Sequence, residues 1–73
     1  MSERMESIFL QVDMMYYLMK RWRKSFQEFL ELDTSFQILE LLRLAYERFH
    51  LMGDEGIAEE IEEHIEQCVG VWR

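Results

Sequence analysis

From Met5 to Phe29 the apolar residues Met5, Ile8, Val12, Met15, Met19, Trp22, Phe26 and Phe29 recur at spacings that alternate between three and four. That is the seam of an α-helix, since a half-buried strand would alternate by two. Phe9, Tyr16 and Leu30 widen the stripe on one side. The chain contains no proline and only three glycines, none of them before position 53, so nothing up to Glu31 interrupts this pattern. The spacing therefore predicts one helix over about 5–31, roughly 40 Å long at 1.5 Å per residue. Glu3 and Glu6 lie near its start, where the helix dipole favours negative charge.

The pattern breaks at Leu32-Asp33-Thr34. Thr34 followed by Gln37 reads as a capping box opening a second helix over about 35–52. Its apolar face is Ile38, Leu41, Leu42, Ala45, Phe49 and Met52, extended by Leu39 and Tyr46, and Gly53 reads as a left-handed C-cap. Asp54 reads as the N-cap of a third helix over about 55–69, with Glu55 in its first turn. Ile57, Ala58, Ile61, Ile65, Cys68 and Val69 make a narrower stripe there. Gly70 reads as a second C-cap, with Val71 and Trp72 free to fold back. The expected fold is all-α: one domain over residues 1–73, a long N-terminal helix followed by a two-helix hairpin.

The lengths then make a demand. Helices of about 27 and 22 Å cannot cover a partner of about 40 Å, and a 73-residue chain lies near the lower size limit for folding alone. Its single cysteine excludes an internal disulfide. Pairing of first helices across a twofold axis would cover the surplus, so a homodimer is expected through Ile8, Val12, Met15, Met19, Trp22 and Phe26. The alternative is a first helix that bends or breaks near Lys20 and closes a monomeric bundle.

Charge is uneven. Residues 1–32 hold five acids and five bases, whereas residues 53–73 contribute −6 of the net −7. Lys20, Arg21, Arg23 and Lys24 surround Trp22 and form the only basic cluster. Such a cluster could meet phosphates, but with Trp22 in the seam it reads better as a solvated face or a dock for the acidic third helix. The run Glu59, Glu60, Glu62, Glu63 and Glu66 is the wet face of that helix or, on the sharper reading, a surface for a basic partner or a nucleic-acid mimic. Of these, Glu59, Glu62, Glu63 and Glu66 are the candidate partner-binding residues, together with the four basic ones. Glu60, His64 and Cys68 are spaced four apart, but structural zinc needs a fourth ligand and only His50 could offer a further nitrogen. An ordinary Glu60–His64 contact is expected instead, and neither metal nor cofactor. Met14, Met15 and Met19 read as core filler that could also repack against a partner.

No phosphate loop and no nucleophile with a companion histidine and acid is present in the sequence, so catalysis is not expected. The run Ile8–Met19 carries Gln11 and Asp13 and is short of a membrane span. The acidic start lacks the basic character of a signal peptide, and a lone thiol suits a reducing compartment, so a cytoplasmic location is expected. The function expected is a non-catalytic protein-binding modulator or adaptor, of phage or plasmid type, acting through a helical surface. The alternatives are a nucleic-acid-associated regulatory factor using Lys20–Lys24, and a structural assembly subunit.

Overall fold

The first helix ends at Trp22, well before the place the seam predicts. The computed structural model describes residues 3–69 and contains five helices there: α1 (Glu3–Trp22), α2 (Phe26–Phe36), α3 (Ile38–Leu44), α4 (Tyr46–Phe49) and α5 (Asp54–Val69). No strand occurs among the described residues. The expected caps and fold-back at Gly70, Val71 and Trp72 lie outside them.

The break between α1 and α2 is built from hydrogen bonds rather than from glycine or proline. Arg23 takes a left-handed φ of 55°. Its N–H donates to the Lys20 carbonyl at 3.4 Å, and the Lys24 N–H donates to the Met19 carbonyl at 2.9 Å. Those two bonds are the paired closure of a Schellman motif. Ser25 then opens α2 with a reciprocal capping box: the Glu28 N–H donates to Ser25 Oγ at 3.1 Å, and the Ser25 N–H donates to Glu28 Oε1 at 2.8 Å. A left-handed non-glycine residue costs about 1–2 kcal/mol, and a capping box offsets a similar amount. The Ser25 backbone bond holds the Glu28 carboxyl below the usual carboxylate range. A lowered folded-state pKa contributes stability above the ordinary carboxylate range, which is lost as pH falls through the folded value. Ser25→Ala should therefore cost about 1 kcal/mol in denaturant titration. Glu28→Gln should melt with less acid sensitivity between neutral pH and pH 3 than the wild type.

The second expected break moves as well. Thr34 is inside α2, where its hydroxyl donates to the Leu30 carbonyl at 2.9 Å as helical Thr commonly does. The corner falls at Gln37, again with φ of 55°, whose N–H donates to the Asp33 carbonyl at 2.6 Å. Asp33 also accepts the Leu39 N–H on Oδ1 at 2.7 Å, so one side chain caps the start of α3 from the preceding helix. The predicted second helix is divided at Ala45 into α3 and α4. Gly53 does not take a left-handed φ, and a Cβ there would meet nothing within 4 Å. Its carbonyl instead accepts the Ile57 N–H at 3.1 Å and opens α5, with Asp54 in the first turn rather than at the cap. Gly53→Ala should be close to neutral, because the reduced unfolded-state freedom is offset by the poorer N-cap that alanine makes; a chemical melt reads this directly.

Met14 and Leu18 of α1, Phe29 of α2, Ile38 and Leu42 of α3, Phe49 of α4, and Ile57, Ala58, Ile61 and Ile65 of α5 form one buried cluster. Leu41, Ala45 and Met52 pack against it, in keeping with the face read for the second helix. Cys68 departs from its expected stripe: the cluster's last α5 member is Ile65, and Cys68, in the helix's final turn, is exposed. With α1 shortened to 20 residues, about 30 Å, and α5 at 16, about 24 Å, the length mismatch largely disappears. The helices close on themselves with a radius of gyration of 11.8 Å, against about 11 Å for a folded chain of this size.

Candidate functional site

α1 carries apolar side chains on two sides, and the chain covers only one. The inner side is Ser7, Met14 and Leu18, all buried, with Leu10, Gln11 and Tyr17 half-buried beside them. Gln11 Nε2 donates to the Leu39 carbonyl at 2.8 Å and ties this side to α3. The outer side shows Met5, Ile8, Phe9, Val12 and Tyr16 at 42–64% exposure. Met5, Phe9, Val12, Tyr16 and Met19 are spaced four, three, four and three, so this outer stripe is itself a helical seam.

The six residues expected at a dimer interface are therefore divided by the fold. Ile8 and Val12 lie outward on α1, and Phe26 is exposed but belongs to α2. Met15, Met19 and Trp22 pack against the chain's own core. Trp22 stacks on Phe29 with ring centroids 6.5 Å apart, and its Nε1–H donates to Glu62 Oε2 at 2.7 Å. The sequence pattern placed the buried side of α1 along the wrong line: Met14 and Leu18 fill the core, while Phe9 and Tyr16, read as flanks, stand at the centre of the exposed stripe.

Glu62 is the point where the basic corner meets α5. Arg21 grips it with two bonds, Nε to Oε2 at 2.8 Å and Nη2 to Oε1 at 3.2 Å. The hydrogen bonds that Arg21 donates to Glu62, together with that carboxylate's negative charge, raise the Arg21 pKa further above its ordinary value. Glu62 is 7% exposed, so it serves as an internal fastener between α1 and α5. Arg21 is committed to the same pair, leaving Lys20 and Arg23 exposed and Lys24 half-buried at the α1–α2 corner. Among the candidate acids, Glu59, Glu63 and Glu66 remain exposed on α5.

No family model, curated protein or solved structure matches this chain.

The Glu60–His64 contact expected on α5 is replaced by two longer-range ones. Glu60 pairs with Arg48 at 2.9 Å, and His64 Nε2 lies 3.1 Å from the Phe36 carbonyl. Among the described residues no group of three or more His, Cys, Asp or Glu side chains is placed to hold a metal ion. A hollow of about 800 Å³ is lined by Ser7 and by residues 43–48. A narrower one of about 340 Å³ runs beside α1 past Glu6, Phe9, Asp13, Tyr46, His50 and Asp54. Its mixed acidic and aromatic wall borders the outer stripe. No described helix is long and apolar enough to cross a membrane.

Proposed function

We propose that this protein is a non-catalytic protein-binding module whose working surface is the outer stripe of α1. The observation that carries this reading is the exposure of Met5, Ile8, Phe9, Val12 and Tyr16 in helical register, on a helix whose opposite side already fills the core. A helix apolar on both sides belongs between two partners, and the protein's own chain supplies one. Scattered exposed apolar residues need no explanation, but a contiguous row of this kind marks an interaction surface. A modulator or adaptor acting by covering another macromolecule fits this arrangement. The exposed Cys68 thiol suits a cytoplasmic, reducing setting.

The nucleic-acid alternative is weaker than the sequence suggested, because Arg21 is held by Glu62 and Trp22 is stacked on Phe29. The acidic surface of α5 retains Glu59, Glu63 and Glu66 for steering a partner by charge, which acts mainly on encounter rate.

The double substitution Phe9→Glu with Tyr16→Glu tests the reading. Both side chains are exposed, so folding stability should change by no more than about 1 kcal/mol for the pair. Association through the stripe should weaken at least about 100-fold, because two charges would be buried unpaired. Unchanged association at unchanged stability would move the binding surface elsewhere.

A further inference from the structure

We infer that the occupant of the outer stripe is a second copy of the same chain, with its α1 running antiparallel. This rests on the binding surface proposed above and names its partner from the charges that flank it. In heptad terms Met5, Phe9, Val12, Tyr16 and Met19 are the seam, and Glu6, Asp13 and Lys20 follow one another at seven-residue intervals along one edge. The opposite edge is the exposed Ile8 and the half-buried Met15, both apolar, and ends at Trp22, which is turned onto the chain's own Phe29 and Glu62. Parallel pairing would set the charged edge of one helix against the apolar edge of the other, leaving Asp13 and Lys20 facing apolar side chains.

Antiparallel pairing sets like edge against like. Centred near Asp13, it brings Glu6 opposite Lys20 of the second copy at both ends, and apolar edge against apolar edge. Glu6 also accepts a hydrogen bond from the Tyr46 hydroxyl at 3.3 Å through Oε2, so the carboxylate is oriented on the chain's own surface and keeps Oε1 for the second copy. Only Asp13 meets its own kind, on the twofold axis. The area suffices. The exposed fractions of the five outer residues amount to roughly 500 Å² per copy, taking about 150–250 Å² for each large side chain. Two copies would bury up to about 1,000 Å² from these residues, the lower bound for a specific interface, and the flanking residues add to it.

The test is sedimentation equilibrium of the full chain across micromolar to millimolar concentrations, at low salt. Four variants accompany the wild type: Glu6→Lys, Lys20→Glu, both together, and Asp13→Asn. Denaturant melts of dilute samples establish that each remains folded. The wild type should be a reversible dimer. Each single reversal turns two attractive pairs into two repulsive ones and should raise the dissociation constant about tenfold. The double swap should return it to within about twofold of wild type, and Asp13→Asn should tighten it severalfold. Strong salt should compress all these differences.

A double swap as weak as the single reversals would overturn the antiparallel pairing. In a parallel dimer positions 6 and 20 are fourteen residues, about 21 Å, apart along the axis and cannot compensate. A wild type that stays monomeric throughout would overturn the second copy as occupant. That outcome is separable from failure of the binding surface itself, which is registered by a wild type that self-associates while the Phe9→Glu, Tyr16→Glu variant self-associates equally.

Discussion

Phe29→Ala should remove about 3–5 kcal/mol of folding stability, the cost of deleting a fully buried aromatic ring. Phe29 is the only fully buried side chain of α2, and its ring lies under Trp22 at the α1–α2 corner. A chain of this size carries about 4–11 kcal/mol in total. The variant should therefore approach the unfolding threshold at room temperature, with α2 the first element to lose protection in hydrogen exchange. Leu30→Ala, one residue along and exposed, is the control and should cost under about 1 kcal/mol. Equal losses at the two positions would mean that α2 does not dock through Phe29.

Glu62→Ala should also be strongly destabilising for a polar residue, at about 2–3 kcal/mol. It strands the Trp22 indole N–H and leaves Arg21 without its bidentate partner. Breaking a fully buried ion pair costs about 3–5 kcal/mol, but the Arg21 side chain remains 29% exposed and water can take over part of its pairing. Glu62→Gln keeps an acceptor for Trp22 and should lose distinctly less. By contrast Glu59→Ala and Glu63→Ala, on the exposed side of α5, should be close to neutral. Urea titrations of the four variants give the ranking. If Glu62→Ala falls with Glu59→Ala, the acid run is uniformly solvated and α1 is not fastened to α5 at this point.

The same residues show where sequence could guide structure. The apolar faces of α3, α4 and α5 were legible because each carries a single stripe, and Ile38, Leu42, Phe49, Ile57, Ile61 and Ile65 are buried where that stripe puts them. α1 was not, because it has two stripes and periodicity cannot say which one the chain itself covers. The uninterrupted spacing through Trp22, Phe26 and Phe29 also concealed the corner. Its local signal, Ser25 followed by Glu28, was present, but a non-glycine residue at the left-handed position gives no warning in sequence. The break that the seam suggested at Thr34 was displaced to Gln37 for a similar reason: Asp33 caps the next helix from inside the previous one, through a contact six residues long.

Glu62 carried a weaker signal. It lies four residues after Ala58, at the edge of the apolar stripe, unlike Glu59, Glu63 and Glu66. A carboxylate in that position needs a partner, and the basic corner was the only cluster able to supply one. The length mismatch by which the sequence suggests a dimer is removed by the corner at Arg23. What α1 exposes, rather than how far it extends, is the feature that favours association.

Backbone amide spectra of the uniformly labelled protein, recorded from dilute to millimolar concentration, test the working surface most directly. Shifts should grow with concentration along Met5, Ile8, Phe9, Val12, Tyr16 and Met19, and should be small at Glu59, Glu63 and Glu66. The Phe9→Glu, Tyr16→Glu variant should keep the dilute-state spectrum of a folded protein and show no such shifts. Concentration-dependent shifts confined to α5 or to Lys20, Arg23 and Lys24, with the outer residues of α1 unmoved, would contradict the assignment of the binding surface to α1.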